Sequence, residues 1–138
     1  MSARHLNLEP DTLRSLLEEG GWPCDRISED TWRSHFRGRN AAFPFYVRLD
    51  PQGYVCFVIV PFVKTPEDAE KAAALYQRLL ELNQSLLMAK FSIDDDLDVV
   101  LSVEYPSGEL DRSEFDDALD VLSFYADRHY EELRALAS

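Results

Sequence analysis

The chain has 138 residues, 46% hydrophobic and 12% aromatic, and its 14 Lys and Arg stand against 26 Asp and Glu for a formal net charge of −12. That length suits a single domain over residues 1–138, and the apolar content is enough for a packed core, which excludes a disordered chain of low hydrophobicity. The longest apolar run, Tyr54 to Val63, is about half of what a helix needs to cross a bilayer and contains Pro61, and the N-terminus MSARHLNLEPD lacks a secretory pattern. No membrane span is expected, and the cytoplasm is the expected location.

The charge is unevenly placed. Residues 1–64 carry eight basic and eight acidic groups, whereas residues 65–138 carry six basic and eighteen acidic ones. A field of this sign repels nucleic-acid phosphates and anionic membrane and favours encounter with basic protein segments. Cys24 and Cys56 are expected as free thiols, since a chain of this size does not need a disulfide, with Cys56 buried in a strand.

In chain order, Leu8, Leu13, Leu16 and Leu17 lie near helical spacing and Gly20-Gly21 is a stop, which predicts a short amphipathic helix over 10–19. Trp32 to Arg39 alternates, with Arg33, His35, Arg37 and Arg39 on one side and Trp32, Ser34 and Phe36 on the other, as in a half-exposed strand. Phe43, Phe45, Val47 and Leu49 continue the alternation, and Asp50-Pro51-Gln52-Gly53 supplies a type I turn into a second arm over 54–63. That arm is nearly continuous in β-branched and aromatic residues, which suits a central strand.

Thr65-Pro66-Glu67-Asp68 reads as an N-cap with Pro at the first helical position, opening a helix to about Asn83 with Ala69, Ala72, Ala73, Tyr76, Leu79 and Leu80 as its buried stripe. Phe91 and Ile93, then Val99, Leu101, Val103 and Tyr105, flank the acidic turn Asp94-Asp95-Asp96 of a second hairpin. Asp111 with Glu114 has capping-box spacing, and Phe115, Ala118, Leu119, Leu122, Ala126, His129 and Leu133 mark a long final helix. The order α-β-β-β-α-β-β-α, with strands in runs, predicts an α+β domain built on an antiparallel sheet.

No motif identifies a chemistry. Asp94, Asp96 and Asp98 match the first ligand positions of an EF-hand loop, but Val99 stands where Gly is needed and Tyr105 where a bidentate Glu is needed. His5, His35 and His129 are isolated, and there is no Cys-x-x-Cys pair, phosphate-binding glycine loop or nucleophile elbow. Asp116 and Asp120 at i, i+4 read as a solvated acidic face. These absences argue against an enzyme, and no metal or cofactor is expected. The one basic feature is the stripe Arg33, Arg37 and Arg39 with Arg48 on the neighbouring strand. With Tyr46 it offers a platform for an anionic partner such as single-stranded nucleic acid, or for acidic residues of the last helix.

The stretch LNQSLLMAKFSIDDDLDVVLSVEYP, with Leu82-Asn83 closing a helix and Phe91 and Ile93 entering the acidic hairpin, resembles the YbjN family of bacterial proteins. Thr65-Pro66-Glu67, Ala126-Asp127, Tyr130 and Leu133 carry the resemblance further, over about residues 42–136. The chain departs from it at Asp96, where relatives often have Gly. The resemblance implies a fold similar to type III secretion chaperones, commonly a homodimer that binds an extended segment of a client protein without catalysis, and roles in regulation and stress response.

The expected function is therefore a dimeric, chaperone-like adaptor for an extended, partly disordered or basic client segment. Trp32, Phe36, Phe43, Phe45, Tyr46 and Phe62 are the candidate client-groove residues. Phe124 and Tyr125 fall off the main stripe of the last helix and are candidate dimer contacts. The competing expectation is a regulatory or accessory factor acting with nucleic-acid-binding proteins, with weak nucleic-acid contact of its own through the arginine stripe.

Overall fold

A computed structural model describes residues 9–138; Leu8 and His5 lie outside them. Helix α1 spans Pro10–Glu19, with Pro10 preset for the first turn and Leu13 and Leu17 wholly buried. It stops where Gly21 takes φ +80°, a conformation that costs glycine nothing and other residues a side-chain clash. Six strands follow: β1 Asp25–Arg26, β2 Thr31–Arg37, β3 Ala42–Asp50, β4 Tyr54–Ile59, β5 Ala89–Ile93 and β6 Val99–Pro106. Helix α2, Ala69–Ser85, lies between β4 and β5, and a 3-10 turn at Ser107–Glu109 leads into α3, Arg112–Ala137.

The strands form one antiparallel sheet in the order β1-β2-β3-β4-β6-β5. The α+β class and the two long hairpins agree with the sequence expectation. Strand β1 was not anticipated, because a two-residue strand is too short to show an alternation. All three helices pack on the same sheet face, α1 against β2, α2 against β5 and α3 against β4 and β6. That face carries Trp32, Phe43, Phe45, Val47, Val55, Phe57, Ile59, Phe91, Val99, Leu101 and Val103, all buried. Along the opposite face, the register aligns Arg33, Tyr46, Val58, Ser102 and Lys90 in one row, and Arg48, Cys56 and Glu104 in the next.

Two boundaries differ from expectation. Helix α2 begins three residues beyond Pro66, because Asp68 rather than Thr65 caps it: the Asp68 carboxylate accepts from the Lys71 N–H at 3.0 Å, while the Thr65 hydroxyl bonds the Tyr76 hydroxyl at 2.8 Å. The buried stripe is Leu75, Leu79 and Leu82, with Ala69 and Ala73 exposed and Leu80 72% exposed. Strand β4 ends at Ile59, ahead of a cis Val60–Pro61 bond, yet Phe62 and Val63 stay buried and exchange backbone hydrogen bonds with Val99 at 2.7 and 2.8 Å. Apolar content extended the predicted strand past a point where Pro61 cannot donate to a ladder.

The start of α3 follows the sequence closely. The Asp111 carboxylate accepts from the Glu114 N–H at 2.9 Å and the Glu114 side chain accepts from the Asp111 N–H at 3.0 Å, a complete capping box. No helix among the described residues is long and apolar enough to cross a membrane.

The two edges of the sheet are treated differently. At the β5 edge the Asn83 side chain acts as a substitute strand: its Nδ2 donates to the Phe91 carbonyl at 2.9 Å and its Oδ1 accepts the Phe91 N–H at 2.8 Å. The outward-facing amide at the middle of β5 is thereby closed to another strand. Asn83→Ala leaves both Phe91 groups without this partner and is expected to cost about 1–3 kcal/mol, measured by denaturant unfolding, and to raise self-association at this edge, measured by light scattering.

Candidate protein-binding site

At the other edge, β1 pairs only with Trp32 and Arg33 of β2. The Thr31 carbonyl accepts from the Ile27 N–H on the β1 side, while the Gly38 N–H turns toward β3 to reach the Ala41 carbonyl. By the two-residue period of a strand, the backbone N–H and C=O of His35 and Arg37 therefore point away from β3, beyond the end of β1. Among the described residues no strand pairs with this stretch. It is an open edge.

Beside it lies a groove of about 540 Å³ between the end of β2 and α3, lined by Phe36, Arg37, Gly38, Arg39, Asp120, Ser123, Phe124, Asp127 and Arg128. Gly38 sets one wall. A Cβ there would come within 2.5 Å of Asp127 Oδ1 and 3.0 Å of Phe43 Cε2, so any other residue at this position would have to displace the Asp127 carboxylate. Asp127 holds the turn: its Oδ1 accepts the Arg39 N–H at 2.7 Å and its Oδ2 the Arg39 Nε at 2.9 Å. These bonds, the backbone N–H foremost, hold the Asp127 carboxyl below the ordinary Asp range.

Of the expected groove residues, only Phe36 reaches this surface, half-buried and stacked on Phe43 at 5.2 Å. The structure puts Trp32, Phe43, Phe45 and Phe62 inside the core instead. Trp32 donates its ring N–H to the Pro10 carbonyl at 3.1 Å, and Phe43 and Phe62 both meet Tyr130 edge-on. Tyr46 is half-buried on the opposite face of the sheet. Period-2 alternation identified the inward side chains but could not say which of them the helices cover.

The arginine stripe divides. Arg33 stands 3.7 Å from Asp25 and Arg48 3.2 Å from Asp50, each on the outer sheet face. Arg39 leaves the strand register and crosses to α3, so part of the stripe does meet the chain's own last helix. Arg37 is exposed and has no ion pair among the described residues, and His35 beside it is exposed.

Phe124 is 59% exposed and links this groove to a second, apolar depression of about 350 Å³ lined by Leu87, Met88, Val121 and Tyr125 with Asp120. Leu87 and Met88 are also exposed, so the patch proposed from Phe124 extends into the loop after α2. Tyr125 is half-buried rather than free: its hydroxyl accepts the Leu87 N–H at 3.0 Å and its ring stacks on His129 at 6.0 Å. Burial, with Arg128 nearby, lowers the His129 pKa and favours its neutral form.

The remaining candidates are structural. Oxygens of Asp94, Asp96 and Asp98 lie within 4.8 Å of one another, but Asp94 Oδ1 accepts the N–H groups of Asp96 and Asp98 at 3.0 and 2.9 Å, and Asp98 pairs with Lys64 at 3.0 Å. The left-handed position of this turn is Leu97, φ +62°, rather than Asp96. Cys24 and Cys56 are free thiols, and burial raises both pKa values. Asp116 sits 3.6 Å from Arg112, and both it and Asp120 are solvent-exposed.

A carboxyl whose folded pKa is depressed stabilises the protein above its unfolded value, about 3.9 for Asp, and that contribution disappears as pH falls through the folded value. The thermal midpoint is therefore expected to fall as pH drops from about 5 to below 4. Asp127→Asn is expected to flatten part of that decline and to speed hydrogen exchange at the Arg39 amide.

With the site in view, the solved structures fall into place. The fold matches a chain of the ExoU–SpcU heterodimeric complex from the type III secretion system of Pseudomonas aeruginosa, at TM-score 0.62 and 21% identity over 90% of this chain and 96% of that one. It matches YbjN from E. coli at 0.62 and 16% identity, over 88% and 91%. It also matches a chain of the HopA1–SchA chaperone–effector complex at 0.57 and 14%, over 94% of each. At such identities the likeness establishes a type III secretion chaperone-like fold. No curated protein matches the chain. Residues 9–135 match the family described as "YbjN: Putative bacterial sensory transduction regulator", and the chain belongs to the YbjN family.

Proposed function

We propose that this chain is a non-enzymatic protein-binding module, a chaperone-like adaptor that takes an extended segment of a client protein and works as a homodimer. The observation that carries this reading is the open β2 edge beside the groove between Phe36 and Phe124. An added strand gains main-chain hydrogen bonds from the edge and places alternate side chains in the groove. Chains of this fold occur in a chaperone–effector complex and in a heterodimer of a secretion system, which supports protein binding as the use of the scaffold.

The dimer contact we assign to the exposed patch of Phe124, Leu87 and Met88, with Tyr125 bracing it from beneath. Light scattering is expected to report a dimer that Phe124→Ser combined with Leu87→Ser converts to a monomer. A dimer mass unchanged in that variant counts against the assignment.

The client test uses a photocrosslinking residue at Arg37, on the open edge, and at Tyr54, exposed on the same sheet face at the far end of the register. In lysate of the native cell, one protein is expected to crosslink from position 37 and not from position 54, before and after nuclease treatment. Capture that vanishes with nuclease favours the second reading, an accessory factor of nucleic-acid-binding proteins. That reading rests on Arg37 and His35, exposed and without an ion pair among the described residues, on an otherwise ion-paired basic stripe.

A further inference from the structure

Building on the adaptor reading, we infer that the open β2 edge selects a client segment that reads acidic–apolar–acidic, in contrast to the basic partner that the total charge of −12 suggests. The excess negative charge belongs to residues 65–138. Contacts at an exposed edge are decided by charges within about one Debye length, roughly 8–10 Å in physiological salt.

A strand laid along His35–Phe36–Arg37 presents its side chains alternately to the two sheet faces. The side chain opposite Phe36 falls on the helix side, where Phe36 and Phe124 line the groove. Those opposite His35 and Arg37 fall on the outer face, among Arg33, His35 and Arg37. Asp25 stands 3.7 Å from Arg33; in the groove Asp127 is bound to Arg39, and Asp120, without an ion pair among the described residues, lies on the helix side rather than the outer face. Arg37 has no ion pair among the described residues, and Arg128 only overlies the Phe124 ring at 5.9 Å. Opposite charges directly across a strand pair stabilise it and like charges destabilise it, so the outer positions favour Glu or Asp and oppose Lys or Arg.

The test is fluorescence anisotropy with two labelled ten-residue peptides, one alternating Glu and Val and the other Lys and Val. The Glu peptide is expected to bind about tenfold more tightly at low salt and to lose that advantage as salt rises. Arg37→Glu, a change at an exposed position, is expected to reverse the preference. His35→Pro removes one outward N–H without touching the ladder to β3, because edge positions facing solvent tolerate proline. It is expected to abolish binding of both peptides while circular dichroism and the melting temperature show the fold intact.

Equal affinities, a preference for the Lys peptide, or a preference unmoved by Arg37→Glu overturns the charge rule, while loss of binding in His35→Pro keeps strand addition. Peptide binding that survives His35→Pro in a folded protein overturns the edge itself as the site. Failure of both peptides to bind overturns the inference, and crosslinking from position 37 then judges the adaptor reading separately.

Discussion

A helix of 26 residues rises about 39 Å, and α3 uses that length to reach α1, α2, β4, β5, β6 and the β2–β3 turn. Its buried face runs through Phe115, Ala118, Leu119, Leu122, Ala126 and Leu133. Phe115 meets Phe57 of β4 edge-on, and Tyr130, just over four turns further along, closes over Phe43 and Phe62. The polar ties branch from the same helix. Arg112 donates to the Leu16 carbonyl at the end of α1, Asp127 fastens the β2–β3 turn, Tyr125 holds the loop after α2, and Glu132 accepts from Arg78 of α2 at 2.6 Å. The groove and the apolar patch both lie along α3 because its flanks are where these ties leave surface uncovered.

The capping box at Asp111 and Glu114, the stripe of α3 and the hairpin turn at Asp50 to Gly53 were legible because each is a local pattern of residue types at fixed spacing. The acidic turn at Asp94 was legible as a turn, though its left-handed residue proved to be Leu97. The start of α2 is ambiguous in sequence because Thr65-Pro66 and Asp68 both carry cap chemistry, and the choice between them depends on Thr65 meeting Tyr76, eleven residues on. The stripe expected through Ala69, Ala73 and Leu80 differs from the buried face of Leu75, Leu79 and Leu82, because small alanines mark an apolar face less sharply than the leucines that pack on the sheet.

Most of the site was not legible, and the reason is geometric. Phe36 and Phe45 occupy equivalent positions in the alternation, yet Phe45 is wholly buried with Trp22 edge-on against it, whereas Phe36 borders the open groove beside α3. Gly38 gives no sign in sequence of its approach to Asp127, 89 residues later. Asn83 is a helix residue by position, and its role at β5 appears only once Phe91 is laid beside it.

The two edges explain each other. Open strands invite self-pairing, and proteins prevent it by covering the edge or by charging it. At the β5 edge Asn83 occupies both outward backbone groups of Phe91, which removes the middle of that edge from strand pairing. The β2 edge is charged instead, and two copies paired antiparallel about Arg37 would set the two Arg37 side chains directly across from each other, an unfavourable cross-strand arrangement. The charge that discourages a second copy is also the charge that welcomes an acidic strand, so one feature keeps the edge vacant and selects what fills it. By the same reasoning the proposed dimer contact lies elsewhere, on the patch around Phe124, where Leu87 and Met88 add exposed apolar area.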